Sequence, residues 1–355
     1  MIRDKCLICN SKELVQIIDL GSHPFADTFM PESKISEADT VYPLVCDLCT
    51  SCGHVQTKFE TNPLARYSQV DYSYTSSNSA FSRSHWDAYA EGVSKEVKLT
   101  PDSLVVEIGS NDCYLAEQFI KKGNRVVGVD PSPYMAKLAR ERNVPTIMAL
   151  FGEKSAEEIL KNYGKANLVI ANNVFNHSDT PLEFAKSVSK ILSPTGSFVF
   201  EQPYWPITIQ SKKFDQIYHE HVSYFTVKSV NELLSRVGMK IISTKVVDYH
   251  GGSLRVIAQL DGNISEQSPN VKNMIEKEEK CGLFKEETYK KFMQELLKQR
   301  STFLQRVHRI KEGGHPIVAV GAAAKGNTFL NFYKLDSTII DYVTDASQYK
   351  KGKYT

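Results

Sequence analysis

Four stretches of this chain carry side chains whose type and spacing suit chemistry. The first is Cys6-Leu7-Ile8-Cys9, followed about forty residues later by Cys46, Cys49 and Cys52, which form two overlapping C-x-x-C pairs. The second is Glu107-Ile108-Gly109-Ser110-Asn111-Asp112, with Asp130 placed 23 residues after Glu107. The third is Tyr218-His219-Glu220-His221, four consecutive protonatable side chains flanked by aromatics. The fourth is Gly321-Ala322-Ala323-Ala324-Lys325-Gly326-Asn327-Thr328, a second glycine turn.

Each stretch implies a different task. Two C-x-x-C pairs can wrap four thiolates onto one tetrahedral ion, so Cys6, Cys9, Cys49 and Cys52 read as zinc ligands. Gly53 supplies the glycine that often follows a zinc knuckle, and Cys46 is left as a bystander or substitute ligand. Four protein ligands make the ion structural and not catalytic. The turn after Glu107 has one glycine where a dinucleotide site needs three, so bare backbone cannot cradle a pyrophosphate. A carboxylate in that turn repels phosphate and suits an ammonium. S-adenosylmethionine carries an adenosine and an ammonium but no phosphate. Glu107 and Asp112 are therefore expected near its methionine end and Asp130 on its ribose, with Gly109, Asn111 and Asn172 also counted among its contacts. In the third stretch a carboxylate beside imidazoles raises their basicity, and a tyrosine can donate to a developing oxyanion. The Lys in the fourth stretch suits a phosphate.

The elements that must position these groups follow from periodicity. Leu104–Ile108 and Arg125–Val129 are short apolar runs of the kind buried parallel strands require, with a helix from Tyr114 to Lys122 between them. The alternation continues with a helix at 131–142, a short strand at 146–148, a helix at 155–163, a strand at 167–175, a helix at 181–192 and a fifth strand at 197–200. Runs 240–249 and 253–260, joined by His250-Gly251-Gly252, read as an antiparallel hairpin. Five α/β units closed by a hairpin match a class I methyltransferase core better than a dehydrogenase, whose sheet is parallel throughout. Val55–Phe59 is expected to close a small N-terminal domain. Residues 61–80, rich in Tyr, Ser and Asn, read equally as solvated loop or substrate wall. Residues 263–288 are polar and read as helix or linker. A helix with one apolar face spans 289–310, its stripe including Leu297 and Ile310. Strands near 317–320 and 339–343 make a second, incomplete α/β unit. The expected domains are 1–60, 61–262 with an insertion at 205–238, and 263–355.

Composition bounds the partners. Lys+Arg 43 against Asp+Glu 41 leaves a net charge of +2 over 355 residues, which gives no electrostatic case for nucleic acid. No apolar run is long enough to span a bilayer, and the first residues lack a secretory h-region. The chain reads as soluble, cytoplasmic and monomeric, with no membrane partner. In a reducing compartment its seven cysteines are not a disulfide framework.

Taken together, these residues resemble the zinc-containing C-methyltransferases that act on nucleotide-linked 4-keto-deoxysugars. The likeness covers nearly the whole chain. It rests on the N-terminal cysteine pairs, Tyr72-Ser73-Tyr74, the turn from Glu107 to Asp112 and Glu201-Gln202-Pro203-Tyr204. It continues through Tyr218 to His221, His250-Gly251-Gly252-Ser253-Leu254-Arg255 and the turn from Gly321 to Asn327. The resemblance implies removal of the proton next to the ketone, then methyl transfer to that carbon. It implies His221 as base, with Tyr218 and Glu220 in its cluster, and Tyr74 or Tyr72 and His177 lining the sugar pocket. Tyr204, His250 and Arg255 join the substrate side, with Lys325 and Asn327 toward a nucleotide diphosphate, dTDP above all. Two departures stand out. Members of the family carry glycine where this chain has Cys113, and they run further at the C-terminus, so the last part of the C-terminal domain is expected to be missing. The rival readings are a sugar O- or N-methyltransferase on the same scaffold, a zinc-containing RNA methyltransferase and a non-catalytic binding module. The RNA reading is weakened by Asn172-Asn173-Val174-Phe175, which lacks the proline pair that base-methylating enzymes carry.

Overall fold

A computed structural model describes residues 1–355 except Asp27, Ala38, 63–65, 67–74, Ile264 and Tyr349. The expected Tyr72 and Tyr74 lie outside the described residues.

The N-terminal strands are β1 (Leu14–His23), β2 (Met30–Pro31), β3 (Tyr42–Cys49) and β4 (Val55–Thr57). The central strands are β5 (Leu104–Ile108), β6 (Arg125–Val129), β7 (Thr146–Ile147), β8 (Ala166–Ile170) and β9 (Leu192–Pro203). Then come β10 (Ser223–Tyr224), β11 (Met239–Val247) and β12 (Ser253–Leu260). The large sheet runs β7-β6-β5-β8-β9-β12-β11. β5 to β9 are parallel, whereas β12 is antiparallel to both β9 and β11. The expected class I methyltransferase core is thus present, and the second hairpin strand slots beside β9. All five residues of β5 are buried, because helices cover both faces of a parallel sheet.

The helices of this core are α1 (Ala80–Glu96), α2 (Tyr114–Ile120), α3 (Pro133–Glu141), α4 (Glu153–Asn162) and α5 (Pro181–Ile191). Their starts are written locally. Ser79 and Ser132 accept the third backbone N–H of α1 and α3, and Pro133 and Pro181 sit where a missing N–H costs nothing. α6 (Trp205–Gln210) and α7 (Val227–Ser235) bracket the insertion.

Three strand expectations need correction. β8 stops at Ile170 instead of Phe175, because Asn173 turns left-handed (φ 53) and Phe175 drops into the core. β9 begins at Leu192, since the chain enters the sheet directly from α5. The small sheet is ordered β1-β3-β4-β10, so it is closed by two residues of the insertion and not by 55–59. A two-residue strand has no periodicity to read.

The polar run 263–288 contains α8 (Pro269–Lys280), and α9 spans Glu286–Glu312. Tyr289, Phe292, Leu296 and Val307 are buried as expected, but Leu297 and Ile310 are exposed. β13 (Val318–Val320), α10 (Ala324–Tyr333) and β14 (Tyr342–Thr344) form the second α/β unit, with β13 and β14 parallel. This unit leans on the N-terminal sheet. Phe332, Tyr333 and Ile339 share one buried cluster with Ile17, Ile18, Phe214 and Ile217. β15 (Lys353–Tyr354) pairs with β2. No helix among the described residues is long and apolar enough to cross a membrane.

Glu278 ties α8 to the core. Its carboxylate accepts the Tyr204 hydroxyl at 2.7 Å and the Val227 and Lys228 amides at 2.6 and 3.0 Å, and only 2% of the residue is exposed. It therefore supplies the missing partners of the first turn of α7. Glu278→Ala leaves a buried hydroxyl and two amides unpaired, and urea denaturation should show a loss of about 3 kcal/mol.

Candidate active site and metal centre

The cysteine cluster forms as expected. The sulfur atoms of Cys6, Cys9, Cys49 and Cys52 all lie within 4.8 Å of one another, with Cys6–Cys52 at 3.6 Å and Cys9–Cys49 at 3.5 Å. A tetrahedral zinc with arms of about 2.3 Å has edges of about 3.8 Å, so the donor set fits. Cys46 is buried in β3 and is not part of the cluster.

A cavity of about 600 Å³ opens beyond the C-terminal ends of β5 and β8, where ligands sit in open α/β sheets. Its first wall is the turn after β5, with Glu107, Gly109, Ser110 and Asn111, together with Asn172 beyond β8. Gly109 has φ +66, and a Cβ there would meet Val174 Cγ2 at 2.1 Å. Only glycine leaves this approach open. Glu107 Oε2 and Asn172 Nδ2 are buried and make no hydrogen bond among the described residues. The Asn172 side-chain oxygen is already taken by the Glu201 amide at 2.8 Å. An unpaired carboxylate oxygen and an unpaired amide donor in one wall suit a ligand with an ammonium and a carboxylate. Burial, reinforced by Asp112 and Asp130, pushes Glu107 well above the usual carboxylate range.

Asp112 and Asp130 stand behind this wall and do not line it. Asp112 accepts the hydroxyls of Ser76, at 2.5 Å, and Ser77. Asp130 accepts the Asn111 amide and the Ser132 amide, each at 2.9 Å. Both therefore shape the turn and the Thr75–Ser79 segment, of which Thr75, Ser76 and Asn78 line the cavity. That part of 61–80 is wall and not solvated loop.

The second wall is the insertion. Tyr218, Glu220 and His221 line the cavity, with His177 and His250. His221 Nδ1 is 2.8 Å from the Gln216 carbonyl, which can only accept, so Nδ1 carries the hydrogen. Burial, then His177 and Lys325, hold the ring well below the ordinary imidazole pKa and hence neutral. Nε2 is left with its lone pair and receives the Tyr218 hydroxyl at 2.7 Å. Burial likewise pushes His177 and His250 down to about 3. His219 faces away and donates to the Tyr42 carbonyl at 3.2 Å.

The third wall is the start of α10, with Ala323, Ala324 and Lys325, and the loop after β14, with Asp345, Ser347 and Lys350. Lys325 makes no hydrogen bond or ion pair among the described residues, although Asp215 and Glu220 act on its charge. Lys350 is engaged by the Ala322 carbonyl at 2.7 Å.

Three expected substrate contacts point elsewhere. Tyr204 is bound to Glu278. Arg255 is paired with Glu201, which also accepts His85 at 2.8 Å, and its guanidinium lies 4.5 Å over the Tyr89 ring. Asn327 is buried inside α10 against Asn331. In each case a long polar side chain found a closer buried partner than the cavity. Sequence reasoning missed Gln216, whose backbone carbonyl sets the His221 tautomer. A carbonyl is common to every residue, so no residue type could signal it. It also missed Trp86, Val174 and Ser347, which are ordinary residues made lining residues by the turn geometry.

Comparison with known proteins covers the chain in three parts. A zinc binding domain family matches residues 6–67, a methyltransferase domain family residues 83–244, and a C-methyltransferase C-terminal domain family residues 248–355. C-methyltransferase NovU of Streptomyces niveus is 30% identical over 350 residues, spanning 99% of this chain and 83% of that protein. Among solved structures, the 1,6-didemethyltoxoflavin-N1-methyltransferase of Burkholderia thailandensis is similar with a TM-score of 0.42 at 16% identity, covering 58% of this chain and 95% of its own. An S-adenosylmethionine-dependent methyltransferase from Clostridium acetobutylicum ATCC 824 gives 0.39 at 14%, covering 52% and 93%. Likenesses of that size add nothing to what the sheet order already establishes.

Gly109→Ala tests the first wall. The added methyl meets Val174 in a left-handed turn, so calorimetry should show S-adenosylmethionine binding weakened about tenfold or more, with zinc content unchanged.

Proposed function

The chain belongs to the zinc-containing, S-adenosylmethionine-dependent C-methyltransferases, and from that premise we propose that it methylates the carbon next to the ketone of a nucleotide-linked 4-keto-deoxysugar, with dTDP as the carrier. The observation that carries this reading is a buried, neutral imidazole, His221, with a fixed tautomer and a tyrosine hydroxyl on its basic nitrogen, in the same cavity as the Gly109 turn. Methylation of a hydroxyl or amine needs no such base on carbon. Removal of a proton α to a ketone needs a base that is unprotonated before reaction and a donor for the enolate oxygen.

In this reading S-adenosylmethionine supplies the electrophilic methyl group, held through Glu107, Gly109, Asn111 and Asn172, with Asp112 and Asp130 bracing the turn. His221 Nε2 takes the α-proton. The Tyr218 hydroxyl, which donates to Nε2 in the free protein, is thereby released to donate to the forming enolate oxygen. His221 Nδ1–H stays on the Gln216 carbonyl, so the ring cannot rotate as it becomes an imidazolium. Lys325 offers a cation to the same space. Its field opposes the imidazolium but favours the enolate, so proton removal is favourable only where both charges form together. His177 and His250, neutral because burial depresses them, serve as hydrogen-bond partners for sugar hydroxyls and not as acids. Tyr72 and Tyr74 remain candidates for the sugar pocket on the strength of the sequence. Tyr204, Arg255 and Asn327 act from behind the walls.

The reading makes two checks. His221→Asn should lower methyl transfer about 10³-fold or more while leaving S-adenosylmethionine affinity unchanged by calorimetry. In D₂O without the methyl donor, the wild-type protein should exchange the α-hydrogen of its 4-keto-sugar, and the variant should not. An active protein that transfers methyl without any such exchange capacity, with the label found on oxygen or nitrogen by NMR, would overturn it.

The pH profile follows from the sign of the shift. A base whose folded pKa is depressed keeps its lone pair until pH falls through that lower value. Hence kcat/KM should stay flat from about pH 8 to about 6, where an ordinary histidine would already be lost.

A further inference from the structure

The base-bearing segment has no sheet of its own in the methyltransferase core. Residues 217–222 form no regular element, and the strand that follows, β10, is only Ser223–Tyr224. That strand is the edge of the N-terminal sheet. Ser223 pairs with Gln56 and Tyr224 with Val55, and the Thr57 amide donates to the Val222 carbonyl at 2.9 Å. Val222 is the neighbour of His221. Two further bonds reach the same segment from N-terminal residues: His219 to the Tyr42 carbonyl at 3.2 Å, and Arg66 to the His219 carbonyl at 3.1 Å.

Gln56 joins this edge to the metal centre. Its side chain is fully buried. Its Oε1 accepts the Leu7 amide at 2.8 Å, and its Nε2 donates to the Lys5 carbonyl at 2.9 Å. Lys5 and Leu7 flank Cys6. One residue therefore grips the first cysteine knuckle with its side chain and pairs with the strand after the base with its backbone. A buried amide with both ends satisfied cannot shift without breaking a bond at one end.

We propose that Gln56 is a positioning residue for His221, and that through it the four-cysteine zinc site sets the geometry of the base. The zinc-binding domain then braces the insertion wall of the active site from behind, as well as being a folding unit. The inference rests on the reading of His221 as the base. The zinc requirement becomes specific: without the ion, Cys6 and Leu7 are no longer held, Gln56 loses its anchor, β4 is free to slide against β10, and the His221–Tyr218 bond loosens. Cofactor binding should be spared, because the Gly109 turn and Asn172 follow β5 and β8, strands of the seven-stranded sheet, whereas β4 and β10 belong to the separate four-stranded sheet.

The test is Gln56→Met, which keeps the volume and removes both hydrogen bonds. The holoprotein is labelled with ¹³C,¹⁵N-histidine, and the His221 resonances, assigned by comparison with His221→Asn, report the tautomer without any substrate. Expected is a pure Nδ1–H form in the wild type and a mixed or shifted signal in Gln56→Met. Zinc by elemental analysis and S-adenosylmethionine affinity by calorimetry should be unchanged, and kcat should fall about tenfold or more with little change in KM. Should the variant lose zinc, a chelator titration of the wild-type holoprotein gives the same answer: the His221 signal should change in step with zinc release while the methyl donor still binds. A His221 signal that survives unchanged, either in zinc-loaded Gln56→Met or after zinc is removed, overturns the proposal. Absence of α-hydrogen exchange in the wild type would instead defeat the proposed reaction and leave the tautomer result standing.

Discussion

The hydrogen bond from His221 Nδ1 to the Gln216 carbonyl is the constraint on which the active cavity depends. It decides which ring nitrogen holds a lone pair, and burial keeps that lone pair unprotonated. Everything else serves one of those two ends. The Tyr218 hydroxyl reads the lone pair, β4 pins the segment from one side by pairing with β10, and α10 pins it from another through Thr328, whose hydroxyl donates to the Ile217 carbonyl at 3.0 Å. Two separate parts of the chain therefore converge on residues 216–224. This segment is irregular, and its order comes from its neighbours.

Charge is distributed along the cavity with the same logic. One end gathers Glu107, with Asp130 behind it, both in surroundings that disfavour the ionised form. That cost is relieved by a ligand carrying an ammonium. The other end holds Lys325 and three neutral histidines, where a negative charge is the missing partner. The two ends of the cavity are thus electrostatically opposite, one suited to a cationic group and the other to an anionic one. A cavity of this kind disfavours both of its own charges, the arrangement by which a site can favour a charge-separated transition state.

What could be read in the sequence follows how local each signal is. The parallel core was legible because buried strands and amphipathic helices write their period into consecutive residues, and the cysteine cluster because metal spacing is nearly a code. Glu107, Gly109, Asn111, Asn172, Tyr218, His221, His177, His250 and Lys325 were anticipated and do line the cavity. Asp112, Asp130, Tyr204, Arg255 and Asn327 do not line it and are engaged by other partners, since a polar residue near a site in sequence can satisfy itself in any direction. Tyr204 chose Glu278, 74 residues on, and Arg255 chose Glu201 on the adjacent strand. The pairing of β10 with β4 was illegible for a stronger reason. It joins residues more than 150 apart through backbone atoms alone, and backbone pairing leaves no mark on residue type.

The same distinction explains Cys113. It sits at the start of α2 with φ 57, a left-handed conformation that costs a non-glycine residue about 1–2 kcal/mol. A glycine at this place would answer a backbone requirement and not a ligand contact. Cys113 accepts the strain in return for burial: its side chain is inaccessible and packs with Leu115, Phe119 and Val144. It is not alone. Asn111, Asn173 and His250 are also left-handed, and all three line the cavity. Left-handed residues mark the places where the chain leaves a strand or helix abruptly enough to present its backbone and side chain to a ligand. The residue type at such turns therefore bears on how tightly the walls are set.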